Sequence, residues 1–178
     1  MGTISIVSWI AESTRGSKVV VEFGAMFFDK LWRVDEGIKK IGIEIWGPYI
    51  ENATFHDCKK IKGDMLMFEE LLLPEEMDCA LIVDALEHVG KEEGIDWIRR
   101  LQKSFNKIVL MVPEGEHFQD KDYFQMGADF YQTHRSTWWK EDLLVLGFQE
   151  IERDSNHHGI TDKINNGALF AIWRKDAS

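Results

Sequence analysis

Runs of aliphatic and β-branched residues recur along this chain with no polar alternation, and stretches of helical periodicity separate them. The clearest are Lys18–Phe23 (KVVVEF), Ile41–Trp46 (IGIEIW), Asp78–Asp84 (DCALIVD) and Lys107–Val112 (KIVLMV), with a shorter run at Lys59–Gly63. A strand wet on one face alternates apolar and polar residues. Unbroken apolar runs suit parallel strands covered on both faces. The intervening stretches predict helices over 3–13, 26–36, 48–55, 66–73 and 91–104, the last with Ile95, Ile98 and Leu101 on one side. A further helix is expected over about 138–146, capped by Thr137 and ended by Gly147. Two final runs, Phe148–Arg153 and Ala168–Arg174, are consecutive strands joined through His157-His158-Gly159. The expectation is an α/β fold: a Rossmann-like, doubly wound, mostly parallel seven-stranded sheet with an antiparallel hairpin at its C-terminal edge.

At 178 residues, with neither repeat nor linker, the chain is expected to be one domain spanning 1–178. Its N-terminal helix falls within 1–16. An irregular, aromatic-rich insertion spans 114–137. The formal charge of −10 disfavours phosphate backbones and anionic headgroups, so neither nucleic acid nor membrane is an expected partner. Two cysteines, Cys58 and Cys79, are too few for a disulfide framework or a four-thiolate zinc site. The first residues lack the basic start and long apolar core of a secretion signal. A cytoplasmic location is expected. The partner is expected to be a small molecule or an exposed side chain of another protein.

In open α/β sheets ligands bind beyond the carboxyl ends of the strands. There this sequence places four acids: Glu22, Glu44, Asp64 and Asp84. Acids in such positions commonly cap the next helix. Yet Glu44 follows Glu22 by 22 residues, close to the ~20-residue offset of an acid that binds a ribose diol. Gly24 permits a sharp turn after the first strand, and Asp64 after Gly63 can hold an amino group. Nucleophile elbow, phosphate loop, dinucleotide fingerprint and metal-ligand spacing are all missing. His88 and His134 are the candidate proton acceptors, because imidazole titrates near neutrality. No metal site is expected, including at His157-His158. Trp138, Trp139, Phe124, Phe130 and Tyr131 either line a substrate pocket or pack the insertion onto the sheet.

The segments VVVEFG (19–24), IGIEIWGPYIENA (41–53), KGDM (62–65), DCALIVDALEHVGKEEG (78–94), KIVLMVPEG (107–115) and YQTHRSTWWKEDLLVLGFQEI (131–151) resemble, in order and spacing, the class I S-adenosylmethionine-dependent methyltransferases. The resemblance covers residues 17–174. It implies S-adenosylmethionine as cofactor and methyl transfer to a small acceptor as the activity. It further implies cofactor contacts from Glu22, Gly24, Ala25 and Met26, from Glu44 and Ile45, from Gly63, Asp64 and Met65, and from Asp84, Ala85 and Leu86. The family's first loop reads acid-x-Gly-x-Gly-x-Gly. This chain reads Glu22-Phe23-Gly24-Ala25-Met26-Phe27-Phe28, with Met26 and Phe28 at the second and third glycine positions. The alternative reading is therefore an inactive binding or scaffolding module whose site those two side chains close.

Overall fold

The computed structural model describes residues 4–154 and 167–175. A first helix α1 (Ile6–Thr14) leads into β1 (Val19–Phe23), followed by β2 (Lys39–Glu44), α2 (Gly47–Glu51), β3 (Lys59–Lys62) and α3 (Phe68–Leu71). Then come β4 (Cys79–Val83), α4 (Lys91–Ser104), β5 (Lys107–Pro113), α5 (Asp129–Gln132), α6 (Lys140–Val145), β6 (Glu150–Asp154) and β7 (Ala168–Arg174). The strands form a single sheet in the order β3-β2-β1-β4-β5-β7-β6. Strands β1 to β5 are mutually parallel, and β7 runs antiparallel to both β5 and β6. The topological switch point lies between β1 and β4, where successive crossovers leave in opposite directions. Among the described residues no helix is long and apolar enough to cross a membrane.

Burial follows the two-residue period of a strand. Val19, Val21 and Phe23 of β1 enter one layer with Trp97, Ile98 and Leu101 of α4. Val20 enters the opposite layer with Trp9 and Ile10 of α1 and Leu31. Both faces of β1, β4 and β5 are thereby covered, which explains their unbroken apolar runs. The edge strand β3 instead carries Lys59, Lys60 and Lys62, which discourage pairing with another chain. Lys39 and Lys59 converge on the buried Glu76 at 2.9 and 3.0 Å. Burial disfavours the Glu76 charge, but these lysines and the Leu73 amide outweigh it and hold the carboxyl down at about 2.

Several boundaries shift, the second strand running Lys39–Glu44 and not Ile41–Trp46, and local structure departs most from expectation in three places. Residues 26–36 form turns and one 3₁₀ helix, Lys30–Arg33, instead of an α-helix, because Met26 and Phe28 take positive φ values of 46° and 64°. The helix after the insertion starts from Trp139, whose amide donates to Asp142 Oδ2 at 2.8 Å. Thr137 gives its carbonyl to Lys91 Nζ and caps nothing. The stretch 66–73 is split between a 3₁₀ turn, Met65–Met67, and α3. The turn through His157-His158-Gly159 lies outside the described residues.

Phe28 is fully buried, and its ring lies over Gly42 of β2. A Cβ at position 42 would stand 2.3 Å from the Phe28 ring. Gly42→Ala is therefore expected to lower stability by about 1–3 kcal/mol in urea unfolding, the usual cost of overpacking. An unchanged midpoint would mean that the Phe28 ring is free to leave this position.

Candidate functional site

The carboxyl ends of β1, β2, β3 and β4 surround a cavity of about 300 Å³, within the range of small-ligand sites. Beyond β1, Gly24 has φ of 67°, and its Cβ would meet that of Ala85 at 2.9 Å, so no other residue fits between the two turns. The loop keeps the positive φ values of a glycine loop at Met26 and Phe28, although each non-glycine residue in that region costs about 1 kcal/mol. Two contacts offset the strain. The Met26 amide donates to Glu44 Oε2 at 2.8 Å, and Phe28 fills the space above Gly42. Only Met26 of the pair reaches the cavity wall.

Glu44 ends β2 and is 5% exposed. Its other oxygen, Oε1, accepts the Trp46 amide at 2.7 Å. Burial raises its pKa above the usual carboxylate value, opposed by these amides. Beyond β3, Gly63 and Asp64 turn the chain inward. Asp64 Oδ1 accepts the Leu66 amide at 2.9 Å, which caps the following 3₁₀ turn. Beyond β4, Asp84 adopts φ of 48°, and its Oδ1 is buried with no hydrogen-bond partner.

Of the residues named from sequence, Gly24, Met26, Glu44 and Ile45 line this cavity. So do Gly63, Asp64, Met65, Asp84 and Ala85. Three named residues do not. Glu22 lies within β1 and shares a face with Val20, away from the cavity, because strand side chains alternate. Ala25 and Leu86 are fully buried beneath the turns that carry them. The roof comes from α5 and the residues after it: Phe130 and Tyr131, two of the aromatics read as pocket-lining or packing, together with Gln132 and Arg135, which sequence reasoning missed. The aromatic clustering of 114–137 was a legible signal for Phe130 and Tyr131, and nothing local marked Gln132 or Arg135.

Glu22 is fully buried. Its oxygens accept no hydrogen bond, and Lys30 Nζ is its ion-pair partner at 3.9 Å. Burial pushes the carboxyl up to about 8. The same burial opposes the charge on Lys30, but Glu22, Asp29 and Asp84 outweigh it and hold that ammonium above the usual lysine range.

A second cavity of about 330 Å³ adjoins the first and shares Met26, Asp84, His88 and Gln132 with it. Lys30, Glu87, His117 and His134 contribute to its wall, with Tyr123 and Phe124. His88 stands between the two cavities. Its Nδ1 lies 3.4 Å from the Thr133 carbonyl. Burial and the neighbouring His134 push its pKa down to about 4. His134 lines only the second cavity, with Nδ1 2.7 Å from the His117 carbonyl.

The insertion that roofs both cavities is organised by Asp122, which is 3% exposed. Its carboxylate accepts the amides of Phe124, Met126 and Ala128 at 2.9, 2.7 and 3.2 Å, and the Tyr49 hydroxyl at 2.5 Å. Trp46 Nε1 donates to the Met126 carbonyl at 3.0 Å and ties the insertion to the end of β2.

No family model and no curated protein sequence matches the chain. Solved structures do. The mitomycin 7-O-methyltransferase MmcR superposes with a TM-score of 0.62 and 12% identity, over 96% of this chain and 53% of that one. This chain therefore spans about half the length of that enzyme. An S-adenosylmethionine-dependent methyltransferase from Archaeoglobus fulgidus matches with a TM-score of 0.60 and 18% identity, over 91% of this chain and 89% of that one. The N-terminal domain of EvdMO1, solved with S-adenosylhomocysteine bound, gives 0.63 and 15%, over 97% and 82%. Together with the strand order and the antiparallel β7, these matches show that the chain has the class I S-adenosylmethionine-dependent methyltransferase fold.

Proposed function

We propose that the chain binds S-adenosylmethionine in the first cavity and transfers its methyl group to a small acceptor in the second. The observation that carries this reading is the buried Asp84 Oδ1, which has no hydrogen-bond partner and sits where the two cavities meet. An orphaned carboxylate oxygen fits a cationic ligand. Glu44, Asp64, Asp84 and Glu93 on the wall, against the single cation Arg135, attract a sulfonium and an ammonium. The same charges repel the phosphates of a dinucleotide.

Each residue then has a task. Glu44 accepts the ribose hydroxyls on the lone pairs its two amide bonds leave open. The turn at Gly24 brings main chain against the methionine moiety, and Asp84 takes its ammonium. Asp64 and Met65 flank the base, with Tyr131 above. When bound, the cofactor supplies an electrophilic methyl group, and the protein's part is to align the acceptor and exclude water. His88 lies at the junction, but a pKa near 4 makes it a weak proton acceptor at neutral pH. That leaves positioning or ligation as its stronger role. The inactive-module reading is not favoured, since Phe28 turns into the sheet and Met26, flexible and unbranched, only borders the cavity.

S-adenosylhomocysteine at a hundred times its dissociation constant is expected to stabilise the protein by about 2.7 kcal/mol. That should raise its melting temperature by roughly 5–10 °C. Glu44→Ala should weaken binding ten- to a hundredfold, about 1.4–2.8 kcal/mol. No shift at millimolar ligand would return the inactive module to favour. A shift that survives Glu44→Ala unchanged would remove the ribose assignment.

A further inference from the structure

Glu87, His88 and His134 line the second cavity and each offers one ligand atom, the three atoms lying within 4.8 Å of one another. We propose that they form a divalent metal site, taking a transition ion such as Mn²⁺, Fe²⁺, Co²⁺ or Zn²⁺. Positions of the ion left open toward the cavity would hold an oxygen atom of the acceptor.

Two histidines and one carboxylate form the donor set that selects borderline divalent ions over Mg²⁺ and Ca²⁺, which prefer oxygen ligands throughout. Such ions approach ligand atoms at about 2.0–2.2 Å. Donor atoms around one ion are then separated by about 3–4 Å, and small rotamer shifts bridge the remainder. His134 Nε2 stands 4.0 Å from Glu87 Oε1, close to that separation before any adjustment.

Two independent features support a prepared site. Glu87 is 3% exposed, and its Oε2 has no hydrogen-bond partner, a costly arrangement that a cation would relieve. The histidines also turn Nδ1 toward main-chain carbonyls, His134 to His117 at 2.7 Å and His88 to Thr133 at 3.4 Å. Carbonyl acceptors of this kind fix the ring and its tautomer in metal sites. The scaffold is rigid as well. Glu87 and His88 belong to the 3₁₀ turn Leu86–His88, which follows β4. The Glu87 carbonyl accepts the Arg135 and Ser136 amides at 2.8 and 3.1 Å, and Arg135 Nη1 donates to the His88 carbonyl at 2.6 Å. His134 is thus fastened beside its partners by main chain. Among the described residues this is the one grouping of three such side chains.

What the ion would do for an acceptor rests on the reading of the second cavity given above; its binding does not. The test therefore uses protein without cofactor, titrated with CoCl₂ in a His157→Ala/His158→Ala background that removes the other adjacent histidine pair. One equivalent of Co²⁺ per chain is expected, with a visible ligand-field absorption band and a dissociation constant of ~10 μM or tighter. Glu87→Gln and His134→Asn should each weaken it at least tenfold, and His56→Ala, on the exposed surface, should leave it unchanged. If one variant does not fold, the other together with the spectrum of the background protein decides. Binding of less than about half an equivalent, or an affinity that neither variant alters, would overturn the proposal. S-adenosylhomocysteine binding, measured on the same metal-free protein, succeeds or fails separately.

Discussion

Between about pH 5 and pH 8.5 the protein is expected to lose stability, and Glu22→Gln is expected to remove a large part of that loss. Glu22 carries an ordinary carboxyl pKa near 4.5 in the unfolded chain and about 8 in the folded one. Below the unfolded value both states hold the proton, and the group leaves stability unaffected. As pH rises, the unfolded chain releases its proton first, so unfolding is increasingly favoured until the folded value is passed. The interval corresponds to an upper bound of ~5 kcal/mol, and the opposing charge of Lys30 at 3.9 Å is already contained in the folded value. A difference of about 3 kcal/mol between wild type and Glu22→Gln at pH 8.5, vanishing near pH 4.5, is the expected result from urea unfolding across this range. Parallel stability curves for the two proteins would mean that Glu22 is ionised throughout and fully paired with Lys30.

Asp122→Ala is expected to release the roof of both cavities. Three main-chain amides and the Tyr49 hydroxyl converge on this buried carboxylate, and losing it leaves the buried Ala128 amide and Tyr49 hydroxyl without an acceptor and frees the Phe124 and Met126 amides. Charge-assisted bonds contribute about 1.5–3 kcal/mol each and do not sum, so the local opening free energy should fall by about 3 kcal/mol. Hydrogen exchange at the amides of Phe124, Met126 and Ala128 should accelerate about a hundredfold, while amides of β4 and β5 keep their protection. Asp122→Asn should behave similarly, because one of its two positions becomes a donor facing donors. Unchanged exchange at those three amides would show that Tyr49 and Trp46 hold the insertion without Asp122.

The sheet was legible from composition along the chain. Burial on both faces selects unbroken aliphatic runs, and Lys107–Val112, Asp78–Asp84 and Lys18–Phe23 match β5, β4 and β1 within a residue at each end. The 91–104 stretch matches α4 in full, since its apolar period is strong and Gly90 precedes it. The 26–36 stretch failed because helical periodicity says nothing of the left-handed conformations that Met26 and Phe28 adopt. Those conformations are held by contacts from elsewhere, the Glu44 carboxylate and the bare backbone of Gly42. Thr137 failed as a cap for a related reason: Asp142 reaches back to the Trp139 amide and starts the helix two residues later.

By itself the sequence determined where most of the strands lie, which rim of the sheet carries acids and glycines, and therefore where a ligand site is to be sought. These follow from local chemistry: apolar period, turn residues and the fixed rule that sites lie beyond the carboxyl ends of parallel strands. The tertiary structure alone decided which way each side chain points and which distant segments meet. Glu22 and Phe23 are neighbours in sequence, yet they face opposite layers of the sheet, and only the register of β1 assigns Glu22 to Lys30 and away from the cavity. His88 and His134 are 46 residues apart by number, with ring centroids 5.0 Å apart in space. Their meeting depends on the path of the insertion back over β4, which Asp122 and the Glu87 carbonyl enforce through hydrogen bonds that no local pattern encodes.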